Sequence, residues 1–278
     1  MLVTSAELAR DAAARGVGLG AFNVVLLEHG EAFIHAAEET GLPVILQFSQ
    51  NAVAYHGGQL RPLGSALLEL AKASTAPVCV HLDHAESIDL CREAVDMGFS
   101  SIMYDGSHLP DAENRASTAD IAAYAHSHGV SVEAELGEVG GKDGVHSATA
   151  RTKPEEAAQF VADTGVDLLA VAVGSSHAMA TREAVLDNDL IARIKAAVPV
   201  PLVLHGSSGV PDEGMVAAIK AGMTKINVST HLNVVFTSKV REILAGDERI
   251  VDPRKYVGPG TAVVQAEAER LLRLYSLQ

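Results

Sequence analysis

The stretch PVCVHLDHAESIDLCREAVDMGFSSIMYDG (residues 77–106) holds one complete strand–helix–strand repeat, and its reading decides the fold. Pro77 opens a β-branched run, PVCVHLD (77–83). An amphipathic segment, SIDLCREAVDMG, follows and ends on Gly98, where a helix C-cap is expected. SSIMYDG (100–106) then starts a second run, so the unit is a βαβ repeat of a parallel sheet. Outward from it the alternation continues in both directions. LGAFNVV (19–25) and PVILQFS (43–49) precede it, and VSVEAEL (130–136), DLLAVAV (167–173), VPLVLHG (200–206) and TKINVST (224–230) follow. Together these make eight runs, the number that closes a barrel. Helical patterns such as EHGEAFIHAAEETG, LGSALLELAKAS, KPEEAAQFVADTG and DEGMVAAIKAG lie between them. The expected fold is α/β, a single (β/α)8 barrel domain over residues 1–278. MLVTSAELARDAAARG forms an N-terminal capping helix started by Thr4 or Ser5, and a helical extension follows the eighth strand. An open doubly wound sheet is the rival architecture, but no GxGxxG follows any strand.

Composition narrows the partners. Lys and Arg total 21 against 35 Asp and Glu, a net charge of −14, which repels nucleic acid and anionic membrane surfaces. Any phosphate must be captured locally. Aromatics are 4% of the chain and Trp is absent, so the core is aliphatic. Cys79 and Cys91 lack CxxC spacing and read as small buried side chains of a reduced protein. Neither a signal-peptide pattern nor an apolar run long enough to span a bilayer is seen, which places the protein in the cytoplasm with no membrane partner.

In barrels the reactive groups stand at the C-terminal ends of the strands. Strand 3 ends in Asp83 and His84, strand 4 in Asp105, strand 5 in Glu135, and strand 7 in His205. Strand 6 runs through GSS to His177, and strand 8 contains Asn227. Three histidines from three strands, His84, His177 and His205, can surround one ion and leave a coordination position open for substrate, the arrangement of a catalytic zinc. His81 is the competing ligand on strand 3, because it lies two residues before Asp83 and shares its side of the strand. His35, His126 and His128 fall on helical patterns facing solvent. The glycine-rich segment GEVGGKDGVHSATART (137–152) reads as a mobile lid over the same face.

Taken in order, HLDHAES (81–87), AVAVGSSHA (170–178), VLHGSSG (203–209) and KINVST (225–230) resemble the signature segments of class II, metal-dependent fructose-bisphosphate and tagatose-bisphosphate aldolases. The resemblance extends from GAFNVV to VDPRKY and implies the TIM barrel already read from the eight strands. It further implies that His84, His177 and His205 bind Zn2+ and that Asp83 handles the proton on the C4 oxygen. By the same resemblance, Asp105 and Glu135 lie beside the metal as alternative ligands or as orienters of a histidine. Gly206, Ser207, Ser208, Asn227, Ser229 and Thr230 match a dihydroxyacetone phosphate cradle, with Ser49 near the same substrate and a monovalent cation beside the phosphate. Arg254 in VDPRKY matches an arginine that reaches the far phosphate from a neighbouring subunit, which implies a homodimer or homotetramer.

Three positions depart from the family pattern: Ala178 replaces a Gly after the zinc histidine, Lys142 follows the paired glycines of the lid, and His231 follows KINVST. The base for the C1 proton is then Asp143 or Glu138. The predicted activity is reversible cleavage of a ketose phosphate, such as fructose or tagatose 1,6-bisphosphate, to dihydroxyacetone phosphate and an aldehyde. Two alternatives stand beside it. One is a non-catalytic metal or sugar-phosphate binder, and the other a Schiff-base aldolase using Lys225 on strand 8.

Overall fold

The computed structural model describes residues 1–136, 151–175 and 182–278. Its eight strands are β1 (Leu19–Asn23), β2 (Val44–Ser49), β3 (Val78–Ala85), β4 (Ser101–Tyr104), β5 (Ser131–Glu135), β6 (Leu168–Ala170), β7 (Leu202–Leu204) and β8 (Met223–Val228). They pair in sequence order, all parallel, and β1 closes onto β8 through Leu19–Lys225 to Phe22–Val228. Each strand overlaps the run expected for it; β3 continues two residues past the end of its run, to Ala85, and β8 begins one residue before its run, at Met223. The helices are α1 (Ser5–Arg15), α2 (Leu27–Thr40), α3 (Gln50–Tyr55), α4 (Arg61–Ala73), α5 (Ile88–Met97), α6 (Asp111–Ser127), α7 (Pro154–Thr164), α8 (Asn188–Ala197), α9 (Asp212–Ala221), α10 (Thr230–Gly246) and α11 (Arg254–Tyr275). Among the described residues, no helix is long and apolar enough to cross a membrane.

Alternation along each strand divides the buried residues into two sets. On β3, Val78, Val80 and Leu82 join the large aliphatic core beneath the surrounding helices, whereas Cys79 belongs to a small cluster inside the barrel with Leu19, Ile45, Leu168 and Val203. α1 supplies Ala6, Ala9 and Ala12 to this inner cluster and so plugs the N-terminal end of the barrel. Its start is defined by Thr4, whose side chain accepts from the Glu7 N–H while Glu7 bonds back to the Thr4 N–H, a capping box. Next to it, Ser5 Oγ lies 2.7 Å from Ser101 Oγ and 2.8 Å from Ser131 Oγ, which ties the plug to β4 and β5. At the other end of the chain, α11 lies against α2, α10 and β1. Both cysteines are buried and free, and burial pushes each thiol up to about 12, so neither is a nucleophile at neutral pH.

One irregularity matters for the chemistry. Between Leu82–Ile102 and Ala85–Tyr104 the register of β3 against β4 shifts, so that Asp83 and His84 together oppose Met103. His84 has φ 46°, a left-handed conformation that non-glycine residues rarely adopt. This β-bulge cancels one step of alternation and brings two consecutive side chains to the barrel mouth.

The plug can be tested through Ser5. Replacing it with Ala removes one hydrogen bond from each of two buried hydroxyls, which keep His81 and the Ser100 carbonyl as their other partners, and should lower the unfolding free energy by about 1–3 kcal/mol in urea denaturation. An unchanged midpoint would mean that α1 is held by its alanine contacts alone.

Candidate active site

The C-terminal ends of the strands enclose a cavity of about 370 Å³, lined in part by Asn23, Ser49, Gln50, Asn51, Asp83, His84, Glu86 and Asp105. Its opposite wall is made by Gly206, Ser207, Ser208, Asn227, Ser229 and Thr230. Most of the residues expected from the sequence are therefore brought together. His177, Glu138 and Asp143 lie outside the described residues, as do Lys142, Ala178 and most of the 137–152 lid segment. Arg254 is not on the cavity wall: its guanidinium is 89% exposed and pairs with Asp252 at 2.7 Å.

At the centre, ligand atoms of His84, Glu135 and His205 lie within 4.8 Å of one another. The imidazoles of His84 and His205 have centroids 4.5 Å apart. Asp105 Oδ2 holds His84 Nδ1 at 2.8 Å, which leaves Nε2 as the nitrogen able to face an ion. Asp105 is itself fixed by the Ser107 hydroxyl at 2.6 Å. It therefore takes the orienting role of the two that the sequence left open. His205 lies 3.0 Å by Nε2 from Glu133 and 3.3 Å by Nδ1 from Glu135. Burial alone would lower its pKa, but the two glutamates carry it up to about 10. Two imidazoles and a carboxylate turned inward on one point are a donor set that fits a divalent metal.

His81 is not part of this group. It is fully buried one layer down, with Nδ1 2.7 Å from Ser101 Oγ, and burial lowers its pKa to about 3, so it stays neutral. The alternation that made it resemble Asp83 also placed it too deep.

Asp83 accepts a 2.8 Å hydrogen bond from Asn23 Nδ2 on Oδ2, while Oδ1 has no hydrogen-bond partner among the described residues. Burial raises its pKa, but the positive charge of His84, Lys225 and His205 more than reverses this. The group is an ionised carboxylate on a residue of the cavity wall, and its Oδ1 has no hydrogen-bond partner among the described residues. Asn23 is a site residue that sequence reading missed, as are Gln47, which donates to Asn23 Oδ1, and Glu133. Glu133 had a signal: it stands two residues before Glu135 in VSVEAEL and must share its inward face.

The opposite wall gathers hydroxyl and backbone donors. Gly206, at φ 66°, turns the chain into a short 3-10 segment (Ser207–Gly209), and the Ser207 hydroxyl donates to the Asn227 carbonyl. The first turn of α10 opens on the cavity at Thr230, and its unpaired N–H groups and dipole attract negative charge there. Ser208 Oγ accepts from the His231 N–H at 3.2 Å, which joins the two loops. His231, the departure noted after KINVST, bonds Glu267 at 2.7 Å, and a chain of pairs continues through Arg270 and Asp212 to Arg182. This network braces the loops after β6, β7 and β8 from behind. Burial raises the Glu267 carboxyl, but bonds from His231 and Arg270 outweigh it and bring it from 4.5 down to about 2.

Lys225 lies beneath the cavity, fully buried, 2.8 Å from Glu133. It holds a carboxylate and does not line the cavity, as a Schiff-base nucleophile must.

Comparison with known proteins agrees with this geometry. The class-II fructose-bisphosphate aldolase family matches residues 3–278, and the chain belongs to it. A fructose-bisphosphate aldolase of Geobacillus stearothermophilus is 42% identical over 269 residues, covering 95% of this chain and 93% of that protein. A 6-phospho-5-dehydro-2-deoxy-D-gluconate aldolase of Shouchella clausii is 41% identical over 277 residues, covering 98% and 94% respectively. Among solved structures, the YdjI aldolase of Escherichia coli K12 superposes with a TM-score of 0.86 at 31% identity, over 99% of this chain and 97% of that one. The chain is thus an aldehyde-lyase of a metal-dependent family that acts on phosphorylated sugars.

The network behind the opposite wall gives a pH signature. Glu267 has a folded pKa below its unfolded one, so its contribution is complete above pH 4.5 and is lost as pH falls toward 2. Glu267→Gln should flatten the acid limb of unfolding free energy against pH in that window, by a slope approaching about one proton. Superimposable acid limbs for the two proteins would contradict the assignment.

Proposed function

We propose that the protein reversibly cleaves a ketose phosphate to dihydroxyacetone phosphate and an aldehyde, with Zn2+ held by His84, His177 and His205. The observation that carries this reading is the convergence of His84, Glu135 and His205 beside a buried Asp83 with one unpartnered oxygen, opposite an anion-binding helix terminus. When bound, the metal supplies Lewis-acid stabilisation for the negative charge that develops next to the ketone. In this reading Glu135 serves as an alternative ligand, supported by its convergence with His84 and His205, and Asp105 orients His84 through their 2.8 Å contact.

Asp83 Oδ1 removes the proton from the C4 hydroxyl as the C3–C4 bond breaks. The bond's electrons pass to the ketose fragment, and the C4 oxygen becomes the carbonyl of the leaving aldehyde. In condensation Asp83 returns the proton. Asn23 keeps Oδ2 occupied, so the base acts through one defined oxygen. Protonation of the remaining carbanion falls to Glu138 or Asp143.

For the ketone-side phosphate, the Gly206–Ser208 turn, Asn227, Ser229 and Thr230 provide backbone and side-chain donors at the α10 terminus, and Ser49 faces them across the cavity. Ser49 Oγ also accepts from the Ala52 N–H, which fixes it at the start of α3. An exposed Arg254 outside its own cavity suits a reach into a neighbouring subunit, in a homodimer or homotetramer, toward the far end of the substrate. The relatives' names differ in the substrate, fructose bisphosphate in one and 6-phospho-5-dehydro-2-deoxy-D-gluconate in the other. In this chain that end faces Gln50, Asn51 and Glu86, so fructose, tagatose and deoxy-ketose phosphates are the panel to test.

Asp83→Asn should lower cleavage about 10²- to 10⁴-fold while leaving exchange of the C1 proton of dihydroxyacetone phosphate, a step that needs no base at C4. His205→Ala should abolish that exchange, and chelation should abolish turnover until zinc is restored. Zinc-free purified protein with no exchange and no turnover of any ketose phosphate would leave only the non-catalytic binder. Trapping of substrate by borohydride would instead favour Lys225.

A further inference from the structure

Beneath the cavity floor lies an ion pair for which the aldol reaction as described has no use. Lys225 and Glu133 are both fully buried, with Nζ 2.8 Å from Oε2. Two aliphatic side chains would fill the same space without the cost of desolvating two charges. The pair extends upward at both ends. Glu133 uses its other oxygen, Oε1, to meet His205 Nε2 at 3.0 Å. Lys225 donates to Asn227 Oδ1 at 2.9 Å, and Asn227 is on the cavity wall.

These contacts act on two choices that side chains leave open. A neutral imidazole carries its proton on one nitrogen only; Glu133 meets His205 Nε2 at 3.0 Å and Glu135 lies 3.3 Å from Nδ1, so a metal taken by Nδ1 leaves the proton on Nε2 against Glu133. A carboxamide can turn either end toward a neighbour, and an ammonium accepts only the oxygen. We propose that Lys225 and Glu133 are joint positioning residues for the site above them. Glu133 keeps the proton of His205 on Nε2 and so presents Nδ1 to the metal, while Lys225 turns the Asn227 carboxamide so that its Nδ2 faces the substrate as a donor. Lys225 bonds to both partners and couples the metal side of the cavity to its substrate side. This rests on His205 being a metal ligand, the reading given above.

The test uses the full-length protein loaded with zinc or cobalt, with chelator competition as the readout. Removing one partner strands a buried charge, so both are changed together. Glu133→Leu with Lys225→Met deletes the pair and the acceptor for His205. Glu133→Gln with Lys225→Met deletes the charges and keeps an acceptor. The first double variant should bind metal about 10- to 100-fold more weakly than wild type, with an altered cobalt absorption spectrum. The second should recover most of that affinity yet keep a raised KM for dihydroxyacetone phosphate, because Asn227 is no longer held. Equal affinity in all three proteins, or a Gln variant no better than the Leu variant, would overturn the proposal. If the Leu variant does not fold, nitrogen-15 spectra of wild-type histidines decide: His205 protonated on Nδ1 and coordinated through Nε2 rules it out. Wild-type protein that binds no metal would remove the aldolase reading itself, whereas tight wild-type binding with no effect of the variants would remove only the positioning role.

Discussion

The pairing of β1 with β8 is the constraint from which the rest of the molecule follows. It leaves the sheet without an edge, so every strand must turn one set of side chains inward and every C-terminal end must reach the same rim. Residues as distant in sequence as Asn23 and Asp83 then meet at 2.8 Å. The inward set is not uniformly apolar. It is closed off at the bottom by the alanines of α1, becomes polar at His81, Glu133 and Lys225, and ends at the rim in the residues that surround the cavity. Polarity increases toward the open end because water and substrate can satisfy polar groups there, and the deeper ones must satisfy each other.

Within that frame the bulge at Asp83 and His84 makes one strand contribute twice. Regular alternation would send His84 under the helices, where its imidazole would have to find a partner in an aliphatic core. The left-handed backbone at His84 is energetically unfavourable for a histidine, and Asp105 and Asp83 on either side stabilise the outcome electrostatically. Asp83 and His84 are thereby set side by side on one rigid strand, the relation that the proposed proton transfer and charge stabilisation at neighbouring substrate atoms require.

The electrostatics of the cavity divide along the same axis. Carboxylates crowd the β3–β5 side, where Asp83, Asp105 and Glu135 favour a cation. On the β7–β8 side the attraction for an anion comes from backbone donors and a helix terminus rather than from side-chain charge. A protein with a net charge of −14 can hold a phosphate in this way because the field of a helix end is short-ranged and local. The salt-bridge chain from His231 to Arg182 stiffens this wall without facing the substrate.

By itself the sequence determined the barrel, because apolar periodicity, prolines before strands and glycines after helices are local signals that eight repeats reinforce. It also determined which side chains stand at the strand ends, and hence Asp83, His84, Glu135, His205 and the Gly206–Ser208 turn as one site. Only the tertiary structure showed why His84 reaches the rim while His81 stays beneath it, since a bulge depends on the register against β4 and leaves no mark in residue spacing. Likewise only the fold showed that Asp105 grips an imidazole, that Asn23 restrains Asp83, and that Lys225 is spent on Glu133 and Asn227. Those roles are pairings between strands far apart in the chain, and side-chain hydrogen bonds across a closed sheet exist only once the sheet has closed.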